Sequence, residues 1–322
     1  MEGVFGMTLF LVRRIAGFAA TIFVAALIIF LLLDLLPGDP ARFVLGINAS
    51  PEAVAALRVQ MGLDAPALER FLRWVGGMLV GDFGLSTTQR LPVAELIAER
   101  MAVTLPLALI AMVVSVVVGL PIGILAAMRR GKATDTALMI LAQTGVAIPN
   151  FWFGMLLTLV FAVGLRWLPT GGFVPWHEDA GAAARALILP GLALALPQAS
   201  ILARVMRTAL VDVTEQDFIR TARAKGLTKG EAIWRHGVRN ALLPVLTILG
   251  LQFAYLIAGT VIVENVFFLP GLGRLIFTAI SERDLVLVRG ATIVLVVVTT
   301  ATMLIVDMAY ALVDPRLKGR DA

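Results

Sequence analysis

Six stretches of this 322-residue chain contain no Asp, Glu, Lys, Arg or His: 15–33, 101–128, 136–165, 186–203, 240–263 and 290–306. Their lengths, 19, 28, 30, 18, 24 and 17 residues, bracket the roughly 20 residues that a helix needs to cross about 30 Å of hydrocarbon. In lipid the backbone must satisfy its own hydrogen bonds, so these stretches are expected to be helices. The expected fold is all-α, a polytopic membrane protein with six transmembrane helices. Composition agrees, with 59% hydrophobic and 15% charged residues where soluble domains carry about 25% charged. A net charge of +5 is too diffuse for a nucleic-acid binder. The absence of cysteine excludes disulfides, thiolate metal sites and a cysteine nucleophile. With only His177 and His236, far apart in sequence, no metal and no cofactor bound by this chain is expected.

The first stretch follows Arg13-Arg14 but is too long for a signal peptide and lacks a small-residue cleavage site, so it reads as an uncleaved span. Lys and Arg number 2, 6, 3, 2, 8, 3 and 3 in the successive connections, starting with the N-terminal tail. Six of these lie in the long 34–100 loop, which is too long to obey the positive-inside rule. Outside it, the connections that share a side with the N-terminus hold 16 and the others 5. Both termini, and the loops 129–135 and 204–239, are therefore expected in the cytoplasm. The expected organisation is an N-tail with the first helix (1–36), an outer periplasmic loop with short amphipathic helices (37–100), and a five-helix core (101–322) carrying the inner loop 204–239.

In the outer loop, Ser50-Pro51-Glu52 has the pattern of a helix start and the run stops near Gly62. An amphipathic stretch, Ala67 to Trp74, follows. It reads either as a cap on the outer ends of the spans or as a docking surface for a soluble partner. In the inner loop, Thr214-x-x-Asp217 and Thr228-x-x-Glu231 both have the spacing of a capped helix start, with Gly226 between them. A helix, a glycine turn and a second helix are expected there. One side is basic, through Arg220-Thr221-Ala222-Arg223-Ala224-Lys225-Gly226. DNA recognition by this element is disfavoured by its tether between two spans, which leaves almost no room to reach a groove. The alternatives for the loop are a solvated basic stretch that only enforces topology and a shaped docking element, which its two breaks and two caps favour.

The chain has no G-x-x-x-x-G-K-[ST] run, so it cannot hold ATP by a P-loop. No Ser/His or paired-Asp arrangement falls within the spans, so no catalytic residue is assigned. Ionisable groups occur only near the span ends, as Glu264 and Asp307, where an interfacial partner or a role in translocation is open. A proton-driven carrier usually places a carboxylate or His deeper. Neutral polar residues lie deeper: Gln143 and Asn150 in the third span, Gln198 in the fourth, Gln252 and Tyr255 in the fifth. In lipid such groups turn toward another helix or a wet cavity, which makes them the candidate translocation path. Pro121, Pro149 and Pro197 are candidate kinks, and Gly119-x-x-x-Gly123 a site of close helix approach. Beyond the fifth span, Glu264 with Pro270, Gly271 and Gly273 is expected to form an outer re-entrant turn and short helix, a candidate gate.

Four stretches in order resemble the permease subunits of binding-protein-dependent ABC importers, dipeptide/oligopeptide branch. These are Pro37-Gly38-Asp39-Pro40, Ile148-Pro149-Asn150-Phe151-Trp152, Arg220 to Gly226 followed by Arg235 to Pro244, and Glu264 to Leu275. The third occupies the place of the EAA loop, with Arg220 where the general signature has Glu, as in the branch's variant. The resemblance implies the type I importer permease fold and a coupling helix at Arg220–Gly226. It also implies a second homologous permease, two ABC ATPase subunits that bind ATP and Mg, and an extracytoplasmic substrate-binding protein, in the bilayer of the bacterial inner membrane. Peptides are the branch's default cargo, and nickel, glutathione and some oligosaccharides use similar permeases. The alternative is a secondary transporter or channel acting alone.

Overall fold

A computed structural model describes residues 2–35, 39–46 and 49–313. Pro37 and Gly38, and the side chain of Asp307, lie outside the described residues. The chain is helical: α1 (Glu2–Asp34), α2 (Pro40–Leu45), α3 (Pro51–Gln60), α4 (Ala67–Leu79), α5 (Val93–Met128), α6 (Ala133–Ala147), α7 (Asn150–Leu157, continued by a π-helical turn Thr158–Gly164), α8 (Ala180–Thr214), α9 (Asp217–Ala224), α10 (Lys229–Ala232, continued by a π-helical turn Ile233–Gly237), α11 (Val238–Val266), α12 (Leu272–Ser281) and α13 (Leu285–Val313). Extended pairing among the described residues is limited to the bridge between Leu85 and Pro92.

Among the described residues, five helices are long and apolar enough to span, within Val12–Asp34, Val93–Met128, Ala180–Thr214, Lys229–Val266 and Leu285–Val306. The sixth expected span is not straight. Ala133–Ala147 and Asn150–Gly164 meet at 100°. The cause is local: Pro149 excludes the helical conformation from the residue before it, and Ile148 is extended at φ −78°, ψ 121°. Pro121 and Pro197, by contrast, sit inside unbroken α5 and α8.

The chain divides into two compact units. One comprises residues 1–10, 105–269 and 302–322. Its core is built on α8, whose Leu202, Met206 and Leu210 are fully buried. On α5, Ser115 donates a hydrogen bond to Ala111 O at 2.6 Å and lies 3.2 Å from Ala195 O. One and two turns further along, a Cβ on Gly119 would meet Ala199 O at 2.5 Å, and one on Gly123 would collide with Ala203 O. Ser115, Gly119 and Gly123 thus face Ala195, Ala199 and Ala203 at four-residue spacing. The approach is so close that only the missing side chains permit it.

The other unit comprises residues 11–104 and 270–301. Ser50 Oγ accepts the Ala53 N–H, and Pro51 occupies the first turn of α3, as its sequence indicated. On α4, Phe71 is buried and makes an edge contact with Phe30 of α1, ring centroids 5.3 Å apart. The amphipathic stretch therefore packs as a cap on the first span. Val93, Leu96 and Ile97 of α5 pack with Leu272, Leu275 and Ala279 of α12 and with Leu287 and Ala291 of α13.

Candidate coupling element and polar seam

The inner loop begins later than the charges suggested, because α8 continues through Arg204 and Arg207 to Thr214. These arginines are accommodated within the helix by partners on α6. Arg207 makes a two-bonded pair with the buried Asp135 at 2.6 and 2.7 Å, and Arg204 donates to Gln143 Oε1 at 2.9 Å. Thr214 is not the expected cap. Its hydroxyl donates to Val211 O, and Gln216 precedes α9 without a side-chain cap. Thr228 does behave as read: its hydroxyl accepts the Glu231 N–H while Glu231 accepts the Thr228 N–H, a complete capping box. Between the two helices Gly226 has φ +99°.

The short helix α9 is pinned on one side. Ile219 and Ala222 are buried in a cluster with Leu210, Val213, Ala232 and Ile233. Ala222 thus packs on the chain's own core. Outside the basic stretch, Arg130 donates to Glu215 Oε1 at 2.5 Å, tying the start of this element to the loop after α5. The Arg130 guanidinium holds the exposed Glu215 carboxyl below its ordinary value. The remaining side is exposed: Arg220, Thr221, Arg223, Ala224, Lys225 and Gly226, flanked by Phe218 and Trp234. Arg220 pairs with Asp217 at 3.3 Å on the exposed surface. The result is a basic, partly aromatic face fixed to the protein by its back.

Of the five polar residues proposed to share a path, the structure joins two. Gln252, almost fully buried, donates from Nε2 to the backbone oxygen of Gln198 at 3.1 Å. The Oε1 atoms of both glutamines are buried without a partner. Gln143 is held by Arg204. Asn150 starts α7 and bonds the Phe151 N–H, while Tyr255 is 69% exposed. Of the outer residues, Glu264 is fully buried in the first unit, and Leu269 N donates to its backbone oxygen. Pro270, Gly271 and Gly273 belong to the second unit. There Gly271 precedes α12, and Leu272 N donates to Thr104 Oγ1 at 2.8 Å. The break after the fifth span and the short helix beyond it are as expected.

Sequence reasoning missed Arg130, Glu215, Asp135 and Arg207. Each pair is separated by more than seventy residues, and no spacing rule connects them. The only hint was charge inside or beside an apolar helix, which demands a partner.

Residues 119–319 match the family described as the binding-protein-dependent transport system inner membrane component, and residues 7–108 match its N-terminal module. The chain belongs to this family of ABC importer permeases. A peptide transport system permease of Brucella abortus is 41% identical over 97% of this chain and 99% of its own length. The glutathione transport system permease GsiC of Salmonella paratyphi A is 40% identical over 96% and 98%. Among solved structures, an inward-facing MetNI methionine ABC transporter aligns with TM-score 0.58 and 17% identity, over 68% of this chain and 97% of the other. An amino acid ABC transporter aligns at 0.50 with 19% identity, over 69% and 94%. The permease is thus a multi-pass inner membrane protein of the type I importer fold, a transport subunit and not an enzyme. The reading as a stand-alone carrier gives way to this membership.

Proposed function

We propose that this permease forms, with a second homologous permease, the path by which di- or oligopeptides cross the inner membrane. Two ABC ATPase subunits bind ATP and Mg, and a substrate-binding protein delivers cargo from the periplasmic side. The observation that carries the reading is the α9 element. Its apolar back is packed into the permease core, its basic face is free, and it lies between the long helices α8 and α11. A chain with no P-loop can use ATP only through such a contact. Closure of the ATPases would move α9 as a rigid piece and rock the attached spans, giving alternating access.

In this reading both termini are cytoplasmic, residues 37–100 form the periplasmic loop and 101–322 the permease core. Gln143, Asn150, Gln198, Gln252 and Tyr255 contribute to the path, where neutral hydrogen bonders suit cargo recognised through its backbone. Glu264, Pro270, Gly271 and Gly273 form the outer gate. The names of the relatives support a cargo of peptide or of glutathione, itself a small peptide.

The test is purification of the tagged permease in mild detergent together with its binding protein. Stoichiometric recovery of two ATPases and a peptide retained by the binding protein are expected. Active uptake by the permease reconstituted alone would refute the reading. The path is tested separately by single cysteines at its five positions, the chain having none of its own. If no position is labelled by a water-soluble thiol reagent with or without trapped nucleotide, the path assignment fails.

A further inference from the structure

The second unit holds a half-open cavity of about 550 Å³ lined by Arg70, Trp74 and Arg289 among others. Arg58, Arg73 and Arg283 also line it, against the carboxylates of Asp34, Asp39 and Asp82. Two arginines are already ion-paired with acids of the cavity: Arg70 with Asp34 at 2.7 Å and Arg58 with Asp39 at 3.2 Å. Arg73 pairs with Glu69, and Asp82 accepts the Gly84 N–H. Arg283 and Arg289 make no ion pair among the described residues. They stack instead on aromatic faces, Arg283 on Phe43 at 4.3 Å and Arg289 on both Phe30 and Trp74 at 5.1 and 5.2 Å. The buried side-chain atoms left without a partner here are the Nε of Arg70, the Nε of Arg289 and the Nε1 of Trp74. All three are donors.

Arg289 feels the charge of Asp34, but that carboxylate is bonded to Arg70. Two arginines with no direct ion pair and three donors without acceptors call for an oxyanion, which a guanidinium fork binds through paired hydrogen bonds. The surroundings identify its source. Leu33 at the end of the first span, and Leu285 and Val286 at the start of the last, supply apolar wall. On α4 the cavity is lined by Arg70, Arg73, Trp74 and Gly77, while Leu68, Leu72 and Leu79 project exposed from the helix. That is the pattern of a helix lying in a membrane interface. The geometry points to a binding site for the phosphate of an anionic phospholipid headgroup, held by Arg283 and Arg289 with Trp74. This site would fasten the α4 cap to the membrane surface. It is independent of the coupling reading and of the cargo.

The test uses the full importer complex, released from nanodiscs containing phosphatidylglycerol and phosphatidylcholine and weighed by native mass spectrometry. Retention of phosphatidylglycerol in preference to phosphatidylcholine is expected. Arg283→Gln and Arg289→Gln should each weaken it about fivefold, the equivalent of the roughly 1 kcal/mol that one basic residue contributes at an anionic surface. Arg166→Gln, outside the cavity, should leave it unchanged. Arg283 lies on the exposed rim, so its variant serves even if Arg289→Gln fails to fold. If no lipid preference exists but inorganic phosphate raises the unfolding temperature of the wild type and not of Arg283→Gln, the oxyanion site stands and its source is free phosphate. If neither probe binds, or Arg166→Gln loses as much lipid as Arg283→Gln, the site does not exist.

Discussion

Gly226 carries the sharpest consequence of a single residue. Its φ of +99° is one that side-chain-bearing residues rarely adopt, yet a Cβ there would meet no atom within 4 Å. The cost of Gly226→Val is therefore conformational, about 1 kcal/mol or more, and falls on the turn after α9 rather than on packing. The variant complex should insert and assemble, but its ATP hydrolysis should respond less to loaded binding protein. Wild-type stimulation would make this turn a mere connector. Ala222→Glu is a poorer probe, since it would force a charge into the permease's own core. Asp284 offers a second test. Its carboxylate accepts from Ser86 Oγ, from Thr88 N and Oγ1, and from Leu287 N at the head of α13. Burial pushes its carboxyl up, but these bonds outweigh burial and hold it below its ordinary value. A depressed carboxyl contributes stability that is complete above its unfolded value of about 3.9 and is lost as pH falls through the folded one. Asp284→Asn should cost about 1.5–3 kcal/mol at pH 7. The gap in unfolding temperature from wild type should narrow below about pH 4, and an unchanged gap would contradict the network.

At the scale of elements, what the sequence reveals depends on whether the cause is local. The bend after α6 was legible as Pro149, and the outer helix start as Ser50-Pro51, because a proline acts on its immediate neighbours. The true length of α8 was not legible. A rule that ends spans at the first charge stops at Ala203, whereas Asp135 and Gln143 from another helix let Arg204 and Arg207 remain in the helix. The same limit hid the pairing of the two glutamines, since residues 54 apart have no periodic relation. Gly119-x-x-x-Gly123 announced a close contact but not that its partner would be Ala199 and Ala203 of α8. That contact predicts that Gly123→Val destabilises the permease by about 1–3 kcal/mol through overpacking. Gly17→Ala, where a Cβ meets nothing within 4 Å, should do no harm. Thermal unfolding of both variants in detergent compares them, and equal stability would mean that the helices separate without cost.

At the scale of the molecule, the bent pair Ala133–Ala147 and Asn150–Gly164 decides the topology. Counted as one broken span it gives six crossings, and counted as a re-entrant hairpin it gives five. The difference is not local, because removing one crossing inverts everything after it. With five crossings and a cytoplasmic N-terminus, the basic element of α9 and its eight Lys and Arg would face the periplasm. That arrangement contradicts the positive-inside rule and would leave the proposed ATPase partners nothing to dock on. With six, the 16 basic residues of the inner connections face the cytoplasm against 5 in the short outer ones. Reporter fusions at residue 322 and within 166–185 separate the two, because both positions change sides together. A reporter active only in the periplasm should be silent at 322 and active within 166–185, and a reporter that fluoresces only in the cytoplasm should show the reverse. If both reporters gave the opposite pattern, the third segment would be re-entrant and α9 could not be the coupling element.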